Sequence, residues 1–171
     1  MRAGTLLLLA AALGCTSTAT YESDLVVPAD LKITLGTVHF VYRDWSTTMA
    51  EIVDRAHSHE RAWTAAIRAA FEKEAAAQGI AGPGATLEIA VTDLRPGRHA
   101  FSWWVGSGDE RAFIEARITI PDHGSFVIET GQTHGRFESL LKTFGKRTAR
   151  QIAARRADPV RMKRATAMPD G

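Results

Sequence analysis

From Arg111 to Ile120 the sequence alternates without a break. Ala112, Ile114, Ala116, Ile118 and Ile120 fall on one side, and Phe113, Glu115, Arg117 and Thr119 on the other. Side chains along a strand point to opposite faces in turn, so a period of two dictates a half-buried strand. Pro121-Asp122-His123-Gly124 follows as a hairpin turn. Ser125 to Thr133 reads as the returning strand, with Phe126, Ile128 and Thr130 on one side. A hairpin of this kind has one apolar face, and the rest of the chain must cover it.

Two helical stretches can supply that cover. Met49 to Gln78 reads as one long helix, or as two with a break near His57–His59. Thr47 or Thr48 can cap it, and Glu51 stands three residues after Thr48 as in a capping box. Trp63, Ala66, Ile67, Ala70, Phe71 and Ala75 recur at three- and four-residue spacing and form one apolar face, with Gly79 as the stop. Phe137 to Arg156 is the second helix, with Leu140, Leu141, Phe144, Thr148 and Ile152 as its stripe. Asp158-Pro159 closes it.

Leu31 to Tyr42 and Thr86 to Leu94 add two more alternating strands, and Gly36 marks a bulge or bend in the first. Arg95-Pro96-Gly97-Arg98 is a turn, and Phe101 to Val105 is either a short strand or an aromatic loop. The order predicts an α+β fold: a mixed four- to five-stranded sheet with a long helix and a C-terminal helix packed on one face. A strand–helix–strand unit within one sheet makes the first two strands parallel.

The leader constrains location. Arg2 precedes an apolar run from Thr5 to Leu13. A bilayer span needs about 20 such residues, so the run fits the apolar region of a secretory signal peptide. It ends at Gly14-Cys15, and Cys15 is the only cysteine among 171 residues. One cysteine excludes a disulfide framework within the chain and a cysteine-rich zinc module. A small residue before cysteine at this point resembles a bacterial lipobox, although Ala12 and Leu13 stand where a leucine and a small residue are more usual. The resemblance implies cleavage before Cys15 and acylation of its thiol and amine. Thr16 in place of aspartate implies sorting to the outer membrane. Ser17-Thr18-Ala19 offers ordinary cleavage and a soluble periplasmic form instead, and an uncleaved anchor is the third reading. The resulting division is a signal peptide (1–14), a lipidated tether (15–29), one domain (30–157) and a basic flexible tail (158–171).

Charge is uneven. Lys142 to Arg164 holds nine basic residues and one acidic one, whereas Cys15 to Leu141 holds 11 basic and 17 acidic. Lys142, Lys146 and Arg150 stack at four-residue spacing on the outer side of the last helix. They read either as a solvated face or as a contact for an anionic envelope surface or an acidic partner protein. No nucleic-acid recognition motif accompanies them, and nucleic acid is not an expected partner.

The search for chemistry yields little. His57-Ser58-His59-Glu60 places two histidines two apart, on nearly opposite sides of a helix, where metal ligation needs spacings of three or four. Only a break there, with His39, His123 or His134 as a third ligand, rescues a metal site, so none is assigned. Ser102, Ser107 and Ser125 lack a nucleophile elbow, and no carboxylates are placed as an acid–base pair. Trp103-Trp104 covers the core, or else leaves Trp104 outward beside glycine turns as a contact point. No catalytic residue and no cofactor is expected.

The leader with Cys15, the strand–helix–strand unit, the block FSWWVGSG–RAFIEARITI–PDHG and the terminal helix together resemble small bacterial envelope lipoproteins of a domain-of-unknown-function family. The topology is similar to the periplasmic domains of curli-secretion lipoproteins and of lipoprotein activators of peptidoglycan synthases, although this chain lacks room for two transmembrane hairpins. The likeness implies a non-enzymatic adaptor or assembly factor on the periplasmic face of the outer membrane. From the residues themselves, Cys15 is the candidate lipid site, and Trp104, Lys142, Lys146 and Arg150 are the candidate partner surface. The other reading is a soluble periplasmic module that binds a ligand or metal.

Overall fold

The computed structural model describes residues 16–41, 50–96, 112–133 and 136–156. Five strands and two helices follow in the order β1 (Thr16–Tyr21), β2 (Ile33–Phe40), α1 (Ala50–Ala77), β3 (Ala85–Arg95), β4 (Ala112–Ile120), β5 (Gly124–Gln132) and α2 (Phe137–Ala154). The strands form one mixed sheet in the order β1-β5-β4-β3-β2. Among the described strands only the β2–β3 pairing is parallel, because α1 carries the chain back between them. The α+β class, the mixed sheet and both helices agree with the sequence reading, and α1 runs through His57–His59 without a break.

The expected hairpin forms, with Ala112 opposite Gln132 and Ile120 opposite Gly124. Asp122 and Gly124 turn the chain at φ 66 and 100. Ala112, Ile114, Ala116, Ile118 and Ile120 are all buried under the helices, so the alternation does the sorting that a period of two requires. Phe71, Phe126 and Phe144 are enclosed with them in one cluster.

β2 has its irregularity between Leu35 and Val38. A side chain at Gly36 would place its Cβ 2.4 Å from the Thr86 methyl. Arg68 of α1 donates to the carbonyls of both Leu35 and Gly36 at 2.6 Å, tying helix to bulge.

α2 starts at the sheet end where β5 finishes, α1 has run thirteen residues before Trp63 reaches it, and both helices end near Gly79. At the first end Trp63 packs edge-on against Phe40 and Phe137. At the second, α1 stops in a left-handed turn at Gly79 (φ 67), with Ile80 N–H returning to Ala75. Lys32 and Arg156 both donate to the Gly79 carbonyl, at 2.7 and 2.9 Å, which sets positive charge at the helix C-termini.

One segment departs from expectation. Residues 16–21, read as a tether, form strand β1, paired residue by residue with β5 from Thr16 opposite Gln132 to Tyr21 opposite Val127. Leu25 and Val27, just beyond it, are core residues. The stretch Thr-Ser-Thr-Ala-Thr-Tyr has little apolar character. It needs little, since it lies at the sheet edge and its pairing is supplied by β5.

Candidate functional site

α1 and α2 come closest at Gly145. A Cβ on Gly145 would fall 2.4 Å from the Ile67 carbonyl oxygen, so glycine is what lets the two backbones approach. Beside this contact the helices leave an outer groove of about 520 Å³. It is lined by Ala66, Ala69, Ala70, Lys73, Glu74 and Ala77 of α1 and by Ser139, Lys142, Thr143 and Lys146 of α2. Ala66, Ala70 and Ala77 share one stripe of α1 with Lys73, about 100° around the helix from the core-facing Ile67 and Phe71, and Ala69 lies beside that stripe.

The rim is unevenly committed. Lys142 donates to Glu138 at 2.7 Å, an exposed i,i+4 pair that holds the Glu138 carboxyl below its ordinary value. Arg150 donates through Nε to Glu74 at 2.7 Å. Glu74 is nearly buried and also accepts from Gln78 at 2.9 Å. The Arg150 bond, then that of Gln78, lowers the Glu74 pKa despite desolvation. Arg150 is therefore largely a clamp between helices, while Lys73 and Lys146 are exposed cations that enter none of the ion pairs recorded among the described residues.

Of the residues expected to form a partner surface, Lys142 and Lys146 are brought together on the groove, and Arg150 lies on the same exposed side of α2. Cys15 and Trp104 lie outside the described residues, as do Trp103, Thr47, Thr48, His134 and the tail from 157. Lys73 was not singled out from the sequence. Its periodicity was visible, but which face of α1 meets α2 is decided by long-range packing.

The sequence matches no protein-family model and no curated protein. The chain is similar to the solved PelC dodecamer from Paraburkholderia phytofirmans. The TM-score is 0.49, at 11% identity, over 84% of this chain and 100% of that one. It is also similar to a single-substitution variant of that dodecamer, with a TM-score of 0.47 at 12% identity over the same shares of each chain. The likeness at this level does not extend to function.

His57 donates from Nδ1 to the Glu60 carboxylate at 2.7 Å, and His59 stacks on Trp63 with ring centroids 5.8 Å apart. Among the described residues no group of three or more histidine, aspartate, glutamate or cysteine side chains is placed to hold a metal ion. Among them also, no helix is long and apolar enough to cross a membrane.

The outer face of the sheet carries a second polar set. Glu115 accepts from the Tyr21 hydroxyl and from Thr92 Oγ1, the latter at 2.8 Å. The bond to Glu115 pushes the Tyr21 pKa up to about 12, since losing the phenol proton would set a phenolate against a carboxylate. Arg117 pairs with Glu22 at 2.7 Å and Arg95 with Asp93 at 2.6 Å. The Tyr21, Thr92 and Glu22 contacts link neighbouring parts of the chain, whereas the Arg95–Asp93 pair lies within β3.

Proposed function

We propose that this chain is a non-enzymatic, lipid-anchored envelope protein, acylated at Cys15, that works as an adaptor or assembly factor at the periplasmic face of the outer membrane. In this reading it holds a partner along the α1–α2 groove. The observation that carries the docking half is the groove itself, lined by four alanines of α1 and by Lys73, Lys142 and Lys146. Small side chains let another backbone approach closely, and cations on both sides select an acidic partner. The leader ending at Gly14-Cys15 supports the anchored half. The Trp103-Trp104 segment remains a proposed second contact.

The test combines lipid labelling with site-specific crosslinking in living cells. A fatty-acid precursor should label the wild-type protein and not the Cys15→Ala variant. A photoreactive side chain in place of exposed Ala69 should give a discrete adduct with one acidic protein. The same probe in place of Glu88, on the outer sheet face, should give none. Lys73→Glu with Lys146→Glu should reduce the Ala69 adduct at least about tenfold, the effect of losing roughly 1.4 kcal/mol of attraction. A wild-type protein that takes no label refutes the anchor. An Ala69 adduct untouched by the double charge reversal refutes the docking role.

A further inference from the structure

β1 begins at Thr16, the residue directly after Cys15, and Thr16 is already paired with Gln132. If Cys15 carries the lipid, no free linker separates lipid from sheet. One residue advances the chain by at most about 3.6 Å. We infer that the sheet end where β1 begins rests against the phospholipid head-group layer, with the strands standing away from it. This rests on the lipid-anchored reading of Cys15 and adds to it a fixed orientation.

The mounting is firm because the whole segment after Cys15 is fastened. Thr18 accepts from Arg147 of α2. Tyr21 donates to Glu115, and Glu22 accepts from Arg117 at 2.7 Å. Arg155 reaches the Ser23 hydroxyl at 3.1 Å. The Asp24 side chain takes the backbone N–H of Ser125 at 2.6 Å. Leu25 and Val27 then enter the core. Peeling this strand off to make a tether would break its ladder with β5, these bonds and part of the core together.

The topology fixes which surface meets the lipid. Thr16, Gln132 and Ala112 share one end of the sheet by direct pairing, and Arg95 joins them opposite Phe113. β2 finishes on the same side, with Phe40 opposite Val91, and α2 begins there; thirteen residues of α1, ~20 Å at about 1.5 Å per residue, precede Trp63, which packs on Phe40. The Pro121–Gly124 turn and Gly79 lie at the other end. Nine residues of β4 separate the two ends, about 26 Å at ~3.3 Å per residue. The α1–α2 groove consequently runs along the membrane normal. Its Ser139 and Lys142 end faces the lipid, and its Ala77 end faces away.

The experiment uses the full acylated protein in vesicles of phosphatidylethanolamine and phosphatidylglycerol with an energy acceptor on the head groups. Acylation consumes the Cys15 thiol, so a donor dye can be placed on one added cysteine. Arg95→Cys marks the proposed lipid end and Pro121→Cys the far turn. Flotation of the vesicles and the intact mass establish acylation first. The inference expects transfer from position 95 to exceed that from position 121 at least about threefold, given ends separated by about 26 Å. A twelve-residue glycine–serine insertion between Cys15 and Thr16 should bring the two values together. Flotation with equal transfer from both sites in the unaltered protein overturns the orientation and leaves the anchor standing. A ratio that survives the insertion also overturns it, since β1 would then not be what sets the pose. A protein that does not float removes the anchor reading and this inference with it.

Discussion

At the scale of single residues, the helix pair and the sheet face each depend on one carboxylate. Glu74 is held ionised by Arg150 first and Gln78 second, below its ordinary pKa of 4.5. A carboxyl whose pKa is lower folded than unfolded adds stability above the unfolded value. That stability is lost as the pH falls through the folded one. Arg150 is half exposed, with 54% of its side chain accessible, so solvent screens the pair. Arg150→Ala should therefore cost only about 1 kcal/mol near neutral pH. The gap between wild type and variant should close progressively below about pH 4.5, as read from urea unfolding midpoints. An equal gap at low pH would mean that Arg150 acts through packing alone. Tyr21 offers the converse check. The chain has two tyrosines, so Tyr42→Phe leaves Tyr21 as the sole reporter of phenolate absorbance. Its midpoint should lie at about 12, and Glu115→Gln should bring it down toward 10.0. A midpoint unmoved by that substitution would show that the bond to Glu115 is not its cause.

At the scale of elements, Gly145 decides how α1 meets α2. Intrinsic propensity alone favours alanine over glycine inside a helix by up to about 1 kcal/mol. The added methyl, however, would sit 2.4 Å from the Ile67 carbonyl oxygen and 3.2 Å from the Phe71 nitrogen, both of them backbone atoms. Overpacking against atoms that cannot swing aside typically costs about 1–3 kcal/mol. Gly145→Ala is thus expected to destabilise by about 1–2 kcal/mol in urea melts, against its propensity, and a stabilised variant would contradict the close approach. The contrast marks what the sequence can display. β4, β5, α1 and α2 were legible because each repeats its own period over enough residues, and Gly36 because an isolated glycine in a strand signals a bulge. The meeting of two helices was not, since a glycine in a polar-looking FGKRTAR run carries no sign of what lies opposite. The Lys142, Lys146 and Arg150 ladder was readable from one helix. The facing Lys73 and the diversion of Arg150 to Glu74 depend on residues some seventy positions away along the chain, and only packing brings them together. β1 escaped notice for a related reason: an edge strand of threonines and serine borrows its order from β5.

At the scale of the whole molecule, that borrowed strand closes one side of the sheet. With β1 in place, Ile128 and Thr130 of β5 are fully buried, and β5 is an interior strand with partners on both edges. Without it, β5 would present a bare row of N–H and C=O groups over six residues, flanked by apolar side chains, and such edges recruit other chains. Arg147, Glu115 and Arg117 would lose their partners in Thr18, Tyr21 and Glu22 at the same time. Two purified forms separate a structural strand from a dispensable tether. A chain starting at Thr16 retains β1, whereas one starting at Asp24 lacks it. Each lost hydrogen bond is worth about 0.5–1.5 kcal/mol net, so the shorter form should be less stable by at least about 2 kcal/mol. It should also scatter light as aggregates at concentrations where the longer form stays monodisperse. Equal unfolding midpoints and equal scattering would mean that the first strand adds nothing to the domain.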